Sequence, residues 1–168
     1  MIYSIGHSTR DIGSFIELLR DNDISLVVDI RSLPGSKKYP WFNRENLEKS
    51  LKEEGIGYMH LKGLGGFRKA KKDSKNNIWK NKSFRGYADY METKDFEDGI
   101  KDLIKESKDK NAAIMCAEAN PYSCHRSMVS DALYARGVLV KHIFCHSDVK
   151  KHRLKDFAKI ARKKVSYR

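Results

Sequence analysis

The sequence predicts an α/β domain with a mainly parallel sheet, and three observations support this prediction. Short apolar runs alternate with stretches whose apolar residues recur every three or four positions. This alternation is typical of strand–helix–strand units, which build parallel sheets. The hydrophobic share of the 168 residues is 40%, which suffices for a core and argues against intrinsic disorder. We therefore expect residues 1–168 to form a single domain.

The first part of the chain contains three predicted strands and two predicted helices. Gly6 ends the first strand, and Pro34, Gly35 and Pro40 enforce a loop after the second. In order, the elements are a strand at 2–5, a helix with Ile12, Phe15, Ile16 and Leu19 on its apolar stripe, a strand at 25–31, a helix capped by Asn43 with Leu47 and Leu51 on its apolar face, and a strand at 58–61.

A basic insertion without periodicity, residues 62–84, comes next, and we expect it to lie outside the core. Strands and helices then alternate again. The remaining elements are a helix with Phe96, Ile100, Leu103 and Ile104 on its stripe, a strand at 112–118, a helix at 127–136 closed by Gly137, a strand at 138–144, and a basic C-terminal helix at 150–168 with Leu154, Phe157, Ala158, Ala161 and Val165 on its apolar face.

Positive charge is concentrated in two segments. The 34 Lys and Arg residues exceed the 22 Asp and Glu residues by 12. Residues 62–82 contribute +7 and residues 150–168 contribute +8, so the rest of the chain carries −3. Such segments form either the footprint of a polyanion or a solubilising surface. The first interpretation predicts a phosphorylated small molecule or a nucleic acid as the partner, and the excess of Lys over Arg in residues 62–82 favours phosphate attraction over base reading.

The sequence contains no candidate membrane-spanning helix and no secretory signal. Its longest apolar runs, such as 26–28 and 112–116, fall far short of the roughly 20 residues that cross a bilayer. Residues 1–10 reach polar side chains before an apolar signal region could form. The three cysteines are then expected to be free thiols. We predict a cytoplasmic protein that does not contact a membrane.

Polar side chains stand where four of the predicted strands end. Because the carboxyl ends of parallel strands meet at one edge of the sheet, these side chains predict a ligand pocket there. They are His7 and Ser8, Asp29 and Arg31, Cys116 and Glu118, and Cys145 and His146.

We predict different roles for the polar residues at this edge of the sheet. Asp29 and Arg31 lie two residues apart, on one face of a strand, and either bind substrate or form a local positioning pair. Glu118 has no predicted cation beside it, so it is the better general acid or base, with a loop or capping carboxylate as the alternative. His7 is the second candidate for acid–base chemistry.

The segment from Cys124 to Arg126 is predicted to occupy the first turn of a helix. Backbone N–H groups and partial positive charge at such a turn bind anions and lower thiol pKa values. Cys124 is therefore a candidate nucleophile, while His125 and Arg126 are candidate substrate-binding residues. The alternative is a structural cap in which Arg126 pairs with Asp29 or Glu118.

A metal site is the weaker interpretation of the Cys and His residues. Cys116, Cys124 and His125 with Cys145 and His146 offer zinc-type ligands, but their spacing matches no recognised ligand pair. We predict neither a metal nor another cofactor, and we interpret Cys116 as a small buried apolar side chain of a core strand.

The sequence resembles the domain of unknown function 488 (DUF488) family of small bacterial and archaeal proteins. The matching motifs are Ser4–Ser8, Val28–Pro34, Leu64–Gly66, Phe84–Met91, and Met115–Glu118 through Cys124–Arg126. They extend from the first strand to about His142 and leave the basic tail uncovered. The resemblance implies a three-layer, Rossmann-like α/β domain and supplies no established reaction. Within its fourth motif, Arg85 is a candidate substrate-binding residue, and the aromatic residues are expected to pack.

Two classes of function remain. The first is an enzyme acting on a nucleotide or a nucleic-acid-linked phosphorylated substrate, with Glu118 or His7 as acid–base, Cys124 as nucleophile, and anion clamps. The clamps are Arg31, Arg85 and Arg126. The second is a non-catalytic module that binds nucleic acid or senses nucleotides with the same pocket. A reactive thiolate distinguishes them, because only the enzyme requires one.

Overall fold

A six-stranded sheet forms the centre of the protein in the computed structural model, which describes residues 1–168. The strands are β1 (Ile2–Gly6), β2 (Leu26–Asp29), β3 (Gly57–His60), β4 (Ala112–Cys116), β5 (Val140–Cys145) and β6 (Asp148–Lys151). Their spatial order is β3-β2-β4-β1-β5-β6, with the first five parallel and β6 antiparallel to β5. The predicted α/β fold with a mainly parallel sheet is confirmed.

Five helices cover this sheet. They are α1 (Ile12–Asp21), α2 (Arg44–Glu53), α3 (Lys82–Tyr90), α4 (Lys94–Glu106) and α5 (Arg126–Ala135). Side chains of Asp11, Asn81 and Thr93 accept hydrogen bonds from the first-turn N–H groups of α1, α3 and α4, which satisfies donors that a helix leaves unpaired. Asn43 does stand at the N-cap of α2, but its side-chain oxygen accepts from the Ser36 N–H instead. None of the five helices combines the length and apolar character of a membrane-spanning segment.

The core is divided by the sheet into two clusters. Successive strand residues point to opposite faces, so Val27 and Val28 belong to different clusters. One cluster packs α1 and α2 against the sheet through residues such as Phe15 and Leu47, and the other packs α3, α4 and α5 through residues such as Ile100. Helices therefore cover both faces, as the three-layer expectation requires.

The prediction of a C-terminal helix is wrong. Residues 150–168 contain the end of β6 and a hairpin of β7 (Lys159–Ala161) and β8 (Lys164–Ser166). A short apolar pattern does not distinguish helix from strand by periodicity alone, and tertiary contacts decide here. The buried Tyr167 ring packs 5.2 Å from the Trp79 ring, and its hydroxyl donates to Asp131 at 2.7 Å.

The expectation that residues 62–84 lie outside the core is wrong for several members. Leu64, Asn76 and Trp79 are buried. Asp89 of α3 holds the segment by accepting hydrogen bonds from the Lys71 N–H and from the side chains of Ser74 and Asn76. The insertion is thus an irregular but anchored part of the domain, with α3 beginning at Lys82.

Candidate functional site

A cavity of about 880 Å³ opens at the carboxyl ends of β1, β2 and β4. Parallel pairing places Gly6 beside Cys116 and Asp29 beside Met115. The ladder continues beyond β1, because the His7 N–H donates to the Cys116 carbonyl oxygen at 2.9 Å. The strand exits thereby form one wall, as the sequence predicted.

Most of the candidate residues line this cavity. Those that do are His7, Arg31, Cys116, Glu118, Cys124 and His125. Asp29 and Arg126 are buried and absent from the lining, and Arg85 also stands outside it, with its Nε donating to the Trp79 carbonyl oxygen. Asp29, Arg85 and Arg126 therefore do not line the cavity, and their contact with a ligand stays a prediction.

The last strand exit is also placed differently from expectation. Cys145 is exposed and lies outside the cavity lining. His146 forms a surface cluster with Asp21 and Glu17. No group of three or more His, Cys, Asp or Glu side chains is arranged to hold a metal ion.

Asp29 fixes the position of Arg31. The carboxylate accepts from Arg31 Nε at 2.9 Å and from Nη2 at 2.7 Å, and the Tyr58 hydroxyl donates to it at 2.7 Å. Burial, followed by the Asp29 charge, raises the pKa of Tyr58 above its ordinary value. Because both charges of the pair are compensated internally, Arg31 presents a directed donor to the cavity, not a free cation.

His7 is a neutral imidazole beside Arg31. Burial lowers the pKa of His7 to about 4. Its Nδ1 lies 2.9 Å from the Ser8 carbonyl oxygen, so Nδ1 carries the proton and Nε2 is the acceptor. Nε2 lies 3.4 Å from Arg31 Nη1, and the ring stacks on Phe42 at 4.4 Å. His7 Nε2 can therefore accept a hydrogen bond from a bound group.

Cys116 and Cys124 form a pair in the cavity wall. Their sulfur atoms are 2.6 Å apart, although neither is in a disulfide. The hydrogen bond from Cys124, opposed by burial and assisted by the charge of Arg126, lowers the pKa of Cys116. The same hydrogen bond raises the pKa of Cys124. Cys116 is therefore the member that ionises first, and Cys124 holds the shared proton.

This pair changes the predicted roles of the two cysteines. Cys124 does not stand in the first turn of α5, because it is extended and the helix begins at Arg126. Cys116 is more than a core side chain, because its sulfur faces Cys124 and lines the cavity. The signal that could have identified the pair is its placement at the two ends of one loop, residues 117–123, between a strand and a helix.

His125 stands beside the thiol pair. Its Nε2 lies 2.8 Å from the Ile30 carbonyl oxygen, so Nε2 carries the proton and Nδ1 is free to accept one. Nδ1 lies 3.4 Å from Cys124 Sγ. Burial lowers the pKa of His125 to about 4. The ring is therefore neutral, and its Nδ1 can accept a hydrogen bond from the Cys124 thiol.

Arg126 supports the loop that joins the two cysteines. It is 1% exposed, and its Nη2 donates to the carbonyl oxygens of Glu118 at 2.9 Å and Ala119 at 3.3 Å. Its Nε and Nη1 have no hydrogen-bond partner. No carboxylate pairs with it, so the expected partners Asp29 and Glu118 do not neutralise its charge with their side chains. That charge instead favours a thiolate on Cys116.

The cavity mouth carries side chains of two kinds. Glu118 is an exposed carboxylate at the rim, at the edge of the cavity where it was predicted. Leu33 and Phe67 are 77% and 89% exposed and line the same cavity. Phe67 has φ of 56°, a conformation that a bulky residue rarely adopts. Sequence reasoning missed Phe67, for which the flanking Gly65 and Gly66 were the only local signal.

Comparison with known proteins supports the resemblance. No curated protein and no solved structure matches the chain. A family model, Domain of unknown function DUF488, matches residues 11–133. This match includes β2, β3 and β4 and every cavity-lining candidate except His7. It covers well over half of the 168 residues, and the chain therefore belongs to the DUF488 family.

Proposed function

We propose that this protein is an enzyme that binds a phosphorylated substrate of the nucleotide class in the cavity and attacks it with Cys116. The single observation that carries the proposal is the Cys116–Cys124 pair, with sulfur atoms 2.6 Å apart in the cavity wall. A reactive thiol requires a stabilised thiolate and access to substrate. Cys124 and Arg126 supply the stabilisation and the cavity supplies the access.

The neighbouring groups fit covalent catalysis. Cys116 Sγ forms a bond to the electrophilic atom of the substrate, and the leaving group takes a proton from a cavity donor. Cys124 holds a proton near the reacting sulfur and can give it to the leaving group, while His125 Nδ1 orients the Cys124 thiol. His7 Nε2 is an acceptor in the same wall as Cys116 and can orient the water that releases the product.

The size of the cavity and the residues at its mouth support a substrate of the nucleotide class. A cavity of about 880 Å³ accommodates a nucleotide-sized molecule. The exposed Phe67 ring offers a face on which a planar base can stack. Residues 62–82 place seven net positive charges on the segment that contains Phe67, where they attract phosphate.

Ligand identification tests the substrate class. We expect native mass spectrometry of the purified chain, followed by release under denaturing conditions, to detect a phosphorylated molecule with an aromatic base. Phe67→Ala should then raise KM about fivefold or more with little change in kcat, since base stacking contributes about 1–3 kcal/mol. A bound molecule without phosphate would contradict this part of the proposal.

Cysteine variants test the chemistry. Cys116→Ser should abolish turnover of the identified ligand while it remains bound, and no substrate-derived adduct should form. Cys145→Ser is the matched control, because Cys145 is exposed and outside the cavity. Turnover by Cys116→Ser at the rate of the control would refute the nucleophile.

A second candidate function, nucleic-acid binding, is favoured by the β7–β8 hairpin. Its two turn residues, Arg162 and Lys163, have φ of 50° and 62°. Asn-Gly is the preferred pair for such a turn, and a left-handed conformation costs other residues about 1–2 kcal/mol each. Despite this strain, the turn holds two exposed cations at its tip. A two-stranded ribbon of this kind fits a nucleic-acid groove.

The double variant Arg162→Asn, Lys163→Gly tests this second function. It should be more stable than the wild type, because the strain is relieved. Its nucleic-acid affinity should depend less steeply on salt, with the slope of log K against log [salt] smaller by about 1.8 for two lost phosphate contacts. Lys49→Gln, Lys52→Gln on the exposed face of α2 is the charge-matched control. Equal slopes for the two double variants would exclude the hairpin from the interface.

A further inference from the structure

We propose that Cys116 and Cys124 perform thiol–disulfide exchange and cycle between a dithiol and an internal disulfide, with a low-molecular-weight disulfide as the co-reactant. This proposal uses the same two sulfur atoms as the proposed function but requires neither a nucleotide nor a substrate adduct. It assigns to the cavity a redox activity and makes the availability of the nucleophile depend on oxidation.

The separation of the two sulfur atoms favours disulfide formation. At 2.6 Å they are closer than unbonded sulfur atoms normally approach. A disulfide bond measures about 2.05 Å. Closure therefore requires a displacement of about half an ångström, which side-chain rotation supplies.

Both cysteines are held at this separation by backbone structure. Cys116 ends β4, which pairs with both β1 and β2. The Cys124 N–H donates to the Pro121 carbonyl oxygen at 3.3 Å, and the Arg126 N–H points to Cys124 Sγ at 3.4 Å. The intervening loop is clamped by Arg126 through Glu118 and Ala119. The pair is thus preorganised, and oxidation does not have to order a flexible loop.

The cysteines lie in the cavity wall beside a buried cation, and both features favour thiol–disulfide exchange over a purely structural role. Cys116 and Cys124 are only 2% and 7% exposed, but both line the cavity. A small disulfide that enters the cavity can therefore reach them. The shared hydrogen bond and the buried Arg126 favour a thiolate on Cys116, the form that attacks disulfides.

The exchange balances in two steps. First, Cys116 thiolate attacks one sulfur of the small disulfide, whose S–S bond breaks and releases one thiolate. Second, Cys124 gives its proton to the thiolate released in the first step and attacks Cys116 Sγ, which breaks the mixed disulfide and releases the second thiolate. The released thiolates take up the two protons that the cysteines lose. In sum, the dithiol and one small disulfide yield the internal disulfide and two small thiols.

A redox titration of the wild-type full-length chain tests the proposal. The protein is equilibrated in glutathione buffers of graded ratio, quenched with an alkylating reagent, and mapped by peptide mass spectrometry. We expect a transition in which the peptides of Cys116 and Cys124 become joined with the loss of two hydrogens, while Cys145 stays alkylated or carries glutathione. Retention of both thiols across the whole range of buffers would overturn the proposal.

Cysteine variants separate the attacking thiol, Cys116, from the resolving thiol, Cys124. Cys124→Ser should accumulate glutathione on Cys116, because the resolving thiol is missing. Cys145→Ser is the control and should form the internal disulfide as the wild type does. A disulfide that forms only with Cys145 or between two chains would also overturn the proposal. Since the titration contains no nucleotide, failure to find a phosphorylated substrate leaves this result untouched, and a variant that fails to fold leaves the wild-type titration decisive.

Discussion

Gly6→Ala is the substitution whose effect can be worked out most directly from the structure. A Cβ at Gly6 would lie 1.8 Å from the Glu118 carbonyl oxygen and 2.6 Å from its carbonyl carbon. Ordinary contact begins at 3.4 Å, so the backbone of the loop must retreat by about 1.6 Å. No side-chain rotation can relieve this contact, because both atoms belong to the main chain.

The cost has two parts. Overpacking of this kind costs about 1–3 kcal/mol. The retreat also separates the Glu118 carbonyl oxygen from Arg126 Nη2, now at 2.9 Å, and a hydrogen bond to a charged group contributes about 1.5–3 kcal/mol. We expect a loss of about 2.5–6 kcal/mol in the free energy of unfolding, and therefore a fall in Tm of at least about 5 °C for a chain of this size.

Urea unfolding followed by tryptophan fluorescence measures this loss. Gly35→Ala is the matched control, because it adds the same methyl group to another cavity-lining loop, where the nearest atom, Asn43 Oδ1, is 3.7 Å away. The control should change the free energy by no more than about 0.5 kcal/mol. If Gly6→Ala unfolds within about 1 kcal/mol of the control, the loop is not held as we describe.

Three further predictions concern buried polar groups. Three histidines have pKa values lowered by burial from 6.5 and are neutral in the folded state: the buried His7 at about 4, the half-buried His125 at about 4, and the buried His142 at about 3. Their contribution to stability is complete above pH 6.5 and is lost as the pH falls toward 4. Over this range the free energy of unfolding should fall by up to about 4 kcal/mol per pH unit, because unfolding takes up as many as three protons. Equal urea midpoints at pH 7 and pH 5 would contradict this prediction. Tyr167→Phe removes the hydrogen bond to buried Asp131 and should cost about 1.5–3 kcal/mol in urea unfolding, while Tyr134→Phe on the exposed side of α5 should cost less than about 0.5 kcal/mol; similar losses in the two variants would contradict a role for that bond. Asp29→Asn should loosen Arg31 and lower the affinity of the identified ligand about tenfold or more in calorimetry; unchanged affinity would show that Arg31 holds its place without the carboxylate.

The sequence was sufficient to predict the sheet and the edge at which the site lies. Apolar strands that end in polar residues place those residues at one edge whenever the strands are parallel, and His7, Arg31 and Cys116 lie in the cavity for this reason. The strand-end argument does not predict the position of the Arg126 side chain. Its direction depends on how α5 is set against the sheet, and its guanidinium turns under the loop at Glu118 instead of into the cavity.

Neither the thiol pair nor the C-terminal hairpin could be predicted from local sequence patterns alone. Cys116 and Cys124 meet only because the loop between them returns to the end of β4, and the length of a loop does not reveal its path. The apolar residues of 150–168 suit a helix or a hairpin equally, and burial of Tyr167 beside Trp79 selects the hairpin.

The strand order has a consequence for the kinetics of folding. β1 is the first strand along the chain, yet it lies between β4 and β5, and Ile2 pairs with Ala112 and with Val140. Closing loops of this length before any pairing energy is gained is slow, so β2 and β3 can associate long before β1 finds both neighbours. The cavity wall at His7 and Cys116 belongs to that late step, and a refolding chain therefore acquires much of its secondary structure before the cavity forms.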